Sequence, residues 1–370
     1  MRGPNATRCW TTTRTRTDRH QNRHRARPYL RAVPTALPIE RFLAAGLPVI
    51  DVRSPGEHAH GHIPGAQNLP LFTDDERAQV GTLYKQAGRD PAMLHGMRLV
   101  GPKLAELVER SKGIAQDGRV GVHCWRGGER SASVAWLLEK VGGLQVITLQ
   151  NGYKAFRALV HASFTLPRKL RVLGGYTGTG KTELLALLRA QGQQVVDLEG
   201  LAHHKGSSFG SIGQTAQPGT EQFENLLWNA LRQLDPARTT WVEDESRMVG
   251  RVKLPDPFFA QMRTSPVTFM DMPRAERVVR LVKDYGGAPM EELSAAVHRI
   301  QRRLGPQHAK AALEALEAGD LHQVAEITLV YYDKTYARGL AERDPALTRL
   351  LPAAGLGPTE LATLLLAHDN

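Results

Sequence analysis

A phosphate-binding motif near the middle of the chain constrains its fold more than any other feature. Residues 175–182 match the pattern G-x-x-x-x-G-K-[ST] with Gly175, Gly180, Lys181 and Thr182 at its fixed positions, and Gly178 is a further glycine inside the loop. An apolar segment precedes the motif and a helix-forming segment follows it, which is the context that the motif requires. Backbone N–H groups of such a loop bind a diphosphate, and the lysine adds a positive charge. The motif therefore predicts a parallel α/β domain with a phosphate site at a strand end, where the hydroxyl of Thr182 could ligate magnesium.

An acidic run lies at the end of a second predicted strand. Glu243, Asp244 and Glu245 directly follow the apolar segment 240–242. In a P-loop enzyme, carboxylates at this position hold the metal ion or activate the nucleophile. The alternative is a solvated acidic turn without a role in the chemistry.

A cysteine in a glycine-rich loop is the other chemical signal. Cys124 follows the predicted strand 120–123, and two glycines precede a predicted helix that starts near Ser131. N–H groups of such a loop, together with the helix N-terminus, bind an anion. With Arg126 and Arg130 nearby, the same field favours the thiolate and makes Cys124 a nucleophile. Because the spacing Cys-x5-Arg also suits a cysteine phosphatase, the loop alone leaves the reaction open.

Charge and cysteine content narrow the class of protein. The chain carries a formal net charge of +11, but residues 1–33 contain nine Arg and one Asp, which leaves only +3 for the rest. A body so nearly neutral does not by itself indicate nucleic-acid binding. Cys9 and Cys124 are the only cysteines, which excludes a disulfide framework or a multi-cysteine zinc site and is typical of the reducing cytoplasm. No apolar segment approaches the ~20 residues of a membrane span.

The segment pattern predicts two α/β domains and a helical region. We expect a disordered Arg-rich leader at 1–35, α/β domains at 36–160 and 168–275, and a helical C-terminal region at 276–370. The leader could instead be an RNA-binding arm or a targeting peptide. Predicted strands alternate with helices, which favours parallel sheets; the strands are 48–52, 120–123, 146–149, 170–173, 194–198, 240–242 and 267–270, and the helices are 99–108, 131–140, 276–285, 290–304, 307–318 and 322–340.

The residues around the first predicted strand resemble the N-terminal signature of rhodanese domains. They read Asp51-Val-Arg-Ser-Pro55-Gly-Glu57 and Gly61-His-Ile-Pro64-Gly-Ala-Gln-Asn68-Leu-Pro70. The resemblance implies a parallel α/β sheet and a cysteine that carries sulfur or selenium. It also makes His62 a loop residue, so we expect no metal site at His58, His60 and His62.

A rhodanese-like half joined to a P-loop half resembles the bacterial tRNA 2-selenouridine synthase family. The resemblance runs from about residue 38 to about residue 340, and its most specific segments are 124–128, 151–157, 197–210, 243–251 and 331–336. Asn151 stands where that family usually has Gly, and Lys205 where it usually has Arg. Asn tolerates left-handed backbone angles, whereas Lys cannot make the bidentate phosphate contact of an Arg.

The resemblance implies a two-step transfer at the wobble 2-thiouridine of tRNAs for Lys, Glu and Gln. Geranyl diphosphate first alkylates the sulfur, and selenium from selenophosphate then displaces the S-geranyl group. For these steps we hypothesise that Cys124 delivers the selenium, that Arg126 and Arg130 orient selenophosphate, and that residues 175–182 bind geranyl diphosphate. It implies no tightly bound cofactor, although magnesium is compatible with the P-loop.

Two other classes of function fit the same motifs. One is a P-loop kinase or ATPase with a regulatory rhodanese module, and the other is a non-catalytic tRNA-binding protein or sulfur carrier. A phosphate-contacting face on the C-terminal helices is one hypothesis for RNA binding, and a solvated helical surface is the alternative; the basic residues concerned are Arg277, Arg280, Lys283, Arg299, Arg302, Arg303 and Lys310.

Overall fold

A computed structural model describes residues 35–367 of the chain. The leader predicted at residues 1–35 lies almost entirely outside the described residues. Within them the chain forms two five-stranded parallel sheets, each covered by helices, and a small antiparallel hairpin. None of the described helices combines the length and apolar character needed to cross a bilayer.

The first sheet has the strand order β1-β5-β4-β2-β3. Its strands are β1 (Thr35–Leu37), β2 (Val49–Asp51), β3 (Gln67–Asn68), β4 (Arg119–His123) and β5 (Gln145–Leu149). Its helices are α1 (Ile39–Ala44), α2 (Pro55–His60), α3 (Asp74–Ala87), α4 (Arg89–Val100), α5 (Leu104–Ile114), α6 (Glu129–Lys140) and α7 (Gly152–Ser163). In the central strand β4, Val120 pairs with Val146 and Val122 with Ile50. All four are buried, as expected for a parallel sheet that is covered on both faces.

One predicted helix of this half is interrupted. The pattern at 99–108 predicts a continuous helix, but α4 ends at Val100 and α5 begins at Leu104. Residues 101–103 form a short 3-10 turn that contains Pro102. Proline lacks the N–H group that a continuing α-helix would use, which explains the break.

The second sheet has the strand order β12-β11-β6-β8-β7. Its strands are β6 (Leu170–Gly175), β7 (Gln194–Val196), β8 (Thr240–Glu243), β11 (Val267–Asp271) and β12 (Thr348–Pro352), and the hairpin is β9 (Met248–Val249) with β10 (Val252–Lys253). Its flanking helices are α8 (Lys181–Ala190), α9 (Leu198–Ala202), α10 (Thr220–Leu231), α11 (Asp256–Arg263) and α16 (Pro358–Ala367). Strand β6 lies between β8 and β11, where the strand order reverses. Sheets of this kind bind ligands at such a point, outside the carboxyl ends of the strands.

The predicted fold class, two parallel α/β units with a mostly helical C-terminal part, is confirmed. The helical part consists of α12 (Arg274–Tyr285), α13 (Met290–Leu304), α14 (Pro306–Glu317) and α15 (Leu321–Ala341). The edge strand β12 was not predicted, and it returns to the second sheet to pair with β11. Segment 348–352 is short, mostly exposed and ends in proline, which is typical of edge strands and gives little signal in a sequence.

One hydrophobic core contains residues of both halves, and each half also has a core of its own. Helix α7 packs against α10, and the ring of Phe156 meets that of Trp228 edge-on at a centroid distance of 5.0 Å. The hydroxyl of Tyr153 donates to the Glu221 carboxylate at 2.9 Å, and the side-chain amide of Asn225 donates to the carbonyl of His62 at 3.0 Å. Apolar and polar contacts therefore join both halves.

Candidate active site

The cysteine loop begins at the carboxyl end of β4, the central strand of the first sheet. The side chain of Cys124 is only 3% exposed, and its Sγ atom lies 3.2 Å from Oγ of Ser131. The Ser131 hydroxyl can also donate to the carbonyl of Gly128 at 3.2 Å. Ser131 was not among the predicted site residues, although its place in the first turn of α6 could have suggested a contact with the cysteine.

The start of α7 forms hydrogen bonds to the cysteine loop. The N–H group of Tyr153 donates to the carbonyl of Cys124 at 2.8 Å, and that of Lys154 to the carbonyl of Trp125 at 3.0 Å. Gly152 lies so close that a Cβ atom there would stand 2.3 Å from the Cys124 carbonyl oxygen. The preceding Asn151 is left-handed, with φ of 56°, a conformation that asparagine tolerates.

The loop offers unused hydrogen-bond donors. Across residues 35–367, the backbone N–H groups of Arg126, Gly127 and Gly128 find no protein acceptor. The side chain of Arg126 is exposed. Consecutive free N–H groups beside a helix N-terminus are suited to bind an oxyanion, and these follow Cys124 closely in the chain.

Arg130 is engaged by a carboxylate from the rhodanese-like signature. Its guanidinium donates to Glu57 at 2.7 and 3.3 Å. Burial lowers the pKa of Arg130, but the hydrogen bond and charge of Glu57 raise it overall. Burial likewise raises the pKa of Glu57, and Arg130 lowers it to a net value below the ordinary range. Arg130 therefore shapes the loop through this ion pair, while Arg126 is the freer of the two predicted arginines.

A fully buried charged cluster lies beneath the loop. Arg53 donates to the Asp51 carboxylate at 2.6 Å and to the carbonyl of Gly61 at 2.7 Å, and its guanidinium stacks 3.8 Å from the ring centroid of Tyr153. Burial lowers the pKa of the adjacent His123, which favours the neutral imidazole. These residues fix the end of β4, where the cysteine loop begins, and the start of α7, which hydrogen-bonds to that loop.

The P-loop connects β6 to α8 as predicted from its motif. The ammonium of Lys181 donates to the carbonyl of Gly175 at 3.2 Å. Burial lowers the pKa of Lys181, but Tyr336 and nearby carboxylates raise it overall, so the ammonium stays charged. Helix α12 packs closely on the loop, because a Cβ at Gly178 would lie 3.1 Å from the carbonyl of Arg277 and one at Gly180 would lie 2.5 Å from the Arg280 guanidinium.

A carboxylate outside the predicted set completes the P-loop site. The hydroxyl of Thr182 donates to Glu199 at 2.8 Å, and Glu199 also interacts with Glu245. Burial and the charge of Glu199 raise the pKa of Glu245 well above its usual value, and one of its carboxylate oxygens has no partner in the described part of the chain. Glu199 lies within segment 197–210, which carries the family resemblance, but its role depends on a contact that sequence spacing does not reveal.

The other two predicted acids face different partners. Glu243 accepts from the N–H of Leu198 at 2.9 Å, and burial raises its pKa well above the usual value. Asp244 pairs with the buried Arg343. Of the three, Glu245 is the one whose carboxylate joins Glu199 beside the P-loop.

Helices α12 and α15 cover the P-loop. Arg277 is buried, donates to the carbonyl of Thr177 at 3.2 Å and pairs with Asp333 at 2.8 Å. The ring of Tyr336 lies 5.3 Å from the Lys181 ammonium. Arg280 pairs with Glu183 of α8. Arg277 and Arg280 therefore attach α12 to its neighbours at the P-loop, and they do not form an open RNA-binding face.

A small apolar pocket lies between the P-loop and the helices that cover it. Its volume is about 50 Å³, and Thr177 lines it together with mostly apolar side chains of α12, α13 and α15. Leu281, Ala325 and Leu329 are among them. The loop that is suited to bind a diphosphate is thus bordered by an apolar space.

The remaining predicted positions have structural contacts. His58 and His62 stack at 4.0 Å, and His62 contacts Gln222 in the second half. Among the described residues, no group of three or more His, Cys, Asp or Glu side chains is arranged to hold a metal ion. The ammonium of Lys205 lies 5.4 Å from the ring centroid of Tyr285.

Each half of the chain matches a known protein family. The model of the rhodanese-like domain matches residues 38–159, and that of the tRNA 2-selenouridine synthase AAA domain matches residues 168–348. The tRNA 2-selenouridine synthase of Bdellovibrio bacteriovorus is 33% identical over 357 residues, covering 82% of this chain and 92% of that protein. The Salmonella typhi enzyme of the same description is 38% identical over 341 residues, covering 82% and 91%. That of Shewanella loihica is 41% identical over 257 residues, which is 66% of each chain. The chain therefore belongs to the tRNA 2-selenouridine synthase family.

Proposed function

We propose that this protein converts the wobble 2-thiouridine of tRNA to 2-selenouridine through an S-geranyl intermediate. Geranyl diphosphate alkylates the sulfur at the P-loop. At the cysteine loop the selenium of selenophosphate then bonds to C2 of the alkylated base while geranylthiolate leaves, and hydrolysis of the Se–P bond releases phosphate. The observation that carries the proposal is the presence, in one chain of this family, of two phosphate-compatible loops with different neighbours. One loop surrounds a cysteine, and the other borders an apolar pocket.

The surroundings of the P-loop support alkylation by a prenyl diphosphate. The sulfur atom forms a bond to C1 of the geranyl group while the bond from C1 to the diphosphate oxygen breaks. Lys181 and the loop N–H groups stabilise the negative charge on the departing diphosphate, which is where preorganised donors accelerate a reaction most. The apolar pocket beside Thr177 provides a place for the hydrocarbon. Since a cavity of ~150 Å³ holds benzene, a ten-carbon chain requires α12 and α15 to move apart.

The cysteine loop supports selenium delivery. The free N–H groups of residues 126–128 bind the phosphate part of selenophosphate and bring its selenium next to Cys124. Arg126 adds a positive charge at the exposed side of the loop. The hydroxyl of Ser131 lies 3.2 Å from Sγ and can hydrogen-bond to the sulfur during the transfer.

The test follows both modifications in the same reaction. Transfer RNA that carries 2-thiouridine is incubated with the protein, geranyl diphosphate and selenophosphate, and its nucleosides are analysed by mass spectrometry. We expect Cys124→Ser to accumulate S-geranyl-2-thiouridine without 2-selenouridine. We expect Lys181→Ala to form both products more slowly than wild type. Cys9→Ser is the matched control for cysteine loss and should behave as wild type.

Two outcomes would contradict the proposal. Full selenation by Cys124→Ser would remove the cysteine from the reaction. Absence of both products with folded wild-type protein that hydrolyses nucleotide would favour the P-loop kinase or ATPase instead.

A further inference from the structure

A large cleft opens beside the P-loop on the second half of the molecule. It measures about 1160 Å³ and is bounded by segments 204–217 and 244–251 and by helices α11, α13 and α15. Pockets that hold one drug-sized ligand measure roughly 300–1,000 Å³, so this one has room for more than a small substrate. We call it the arginine cleft.

Arginine side chains dominate the charge of this cleft. Five arginines line it against three carboxylates; the arginines are Arg247, Arg251, Arg263, Arg299 and Arg303. Arg247 pairs with Asp256, but in the described chain the other four have no carboxylate partner. Arg299 donates to the carbonyl of Ser208 at 2.6 Å, and Arg303 to the hydroxyl of Tyr331 at 3.2 Å. Because these acceptors are neutral, the positive charge of both guanidinium groups remains available to an anion.

Tyrosines line the same cleft. Tyr331 and Tyr336 are both half-buried, so parts of both side chains remain accessible. Aromatic faces next to arginines are the usual means of binding unpaired bases, which stack on the rings while phosphates meet the cations. Tyr336 also lies 5.3 Å from the Lys181 ammonium, so a base stacked on it would be adjacent to the P-loop.

We propose that the arginine cleft binds the unpaired anticodon-loop nucleotides of the tRNA substrate. Arg251, Arg299 and Arg303 contact backbone phosphates, and Tyr336 places the wobble base beside the P-loop for alkylation. This inference rests on the proposed function, because it takes tRNA as the substrate. It gives Arg299 and Arg303 a role that the neighbouring Arg302 lacks, since Arg302 is exposed on the same helix but does not line the cleft.

The experiment compares charge loss inside and outside the cleft. Binding of a fluorescent anticodon stem–loop RNA with 2-thiouridine at the wobble position is measured by anisotropy at several salt concentrations. We expect the double variant Arg299→Gln/Arg303→Gln to bind at least tenfold more weakly and its salt slope to fall by about 1.4, because each phosphate contact on a single strand contributes roughly 0.7. Arg302→Gln, the matched control, should bind as wild type. All three positions are exposed, and thermal unfolding of each variant verifies the fold.

A cross-link locates the base itself. A 4-thiouridine at the wobble position is irradiated in the complex, and the attached peptide is identified by mass spectrometry. Attachment within residues 331–336 supports the proposal, and attachment exclusively elsewhere overturns it. Equal affinity of wild type and double variant, or an equal loss in Arg302→Gln, also overturns it.

Failure of the inference is distinguishable from failure of the proposed function. If wild-type protein yields both modified nucleosides while the affinity for RNA is unchanged by loss of Arg299 and Arg303, the cleft assignment is wrong and the reaction stands. If neither nucleoside forms while binding depends on these arginines, the cleft stands and the reaction is wrong.

Discussion

A methyl group at position 152 should disable the cysteine loop. Gly152 has φ of +56°, and a Cβ there would lie 2.3 Å from the carbonyl oxygen of Cys124, 2.5 Å from the nitrogen of Gly127 and 2.8 Å from that of Arg126. All three atoms are backbone, so Gly152→Ala can be accommodated only if the loop moves away from α7. A displacement of about 1 Å at a reacting group can cost roughly 100-fold in rate, and we expect a loss of selenation of that order.

Gly143→Ala is the matched control for the backbone cost alone. Gly143 has φ of +70° in the same half, but a Cβ there would meet nothing within 4 Å. Each substitution costs about 1–2 kcal/mol for a left-handed alanine, and only Gly152→Ala adds the collision. Nucleoside mass spectrometry should show S-geranyl-2-thiouridine formation near the wild-type rate in both variants and loss of 2-selenouridine only in Gly152→Ala. If both variants selenate equally well, the loop does not depend on its contact with α7.

Three further predictions concern the P-loop pocket, the shared core and a buried carboxyl group. Ala325→Leu fills the apolar pocket and should raise KM for geranyl diphosphate at least tenfold, with inhibition by inorganic diphosphate unchanged; an unaltered KM would place the hydrocarbon elsewhere. Trp228→Ala should lower the free energy of unfolding by about 3–5 kcal/mol in denaturant titrations, whereas Ala at Trp136, which is 57% exposed, should change it by less than ~0.5 kcal/mol. Burial raises the pKa of Glu243 well above its usual value, so the unfolded chain releases this proton first, and the contribution of Glu243 to wild-type stability falls as pH rises above ~4.3. Glu243→Gln should therefore gain thermal stability relative to wild type between pH 5 and pH 8, and a difference that is independent of pH would contradict this.

The parts of the molecule that could be predicted from sequence are those encoded by adjacent residues. The P-loop and the cysteine loop each form within one strand–loop–helix segment, and glycines, a basic residue and an apolar strand at short spacing are enough to indicate them. The predicted helix at 290–304 has the bounds of α13 for the same reason, since its apolar periodicity is local.

The partners that complete each site could not be predicted, because they come from distant segments. Glu57 reaches Arg130 across 73 residues, and Asp333 reaches Arg277 across 56. The three acids at 243–245 illustrate the same limit. Strand β8 ends at Glu243, so the regular alternation of side chains stops there, and adjacent carboxylates turn to different partners that only the tertiary fold supplies.

The junction between the halves is a packed part of the structure, although its sequence pattern suggests a break at 161–168. Helix α7 ends at Ser163, and the next residue, Phe164, is buried. The side-chain amide of Gln261 donates to the carbonyls of Phe164 and Leu166 at 3.0 and 3.1 Å.

Separating the halves at this point would expose aromatic surface on both sides. Phe156 would lose Trp228, and the buried hydroxyl of Tyr153 would lose Glu221 and Asn225. Each large aromatic side chain buries about 150–250 Å², which is a substantial share of what stabilises either half. Helix α7 takes part in this interface and also holds the cysteine loop through Gly152 and Tyr153. A hinge between the sheets would therefore disturb the cysteine loop as well as the core.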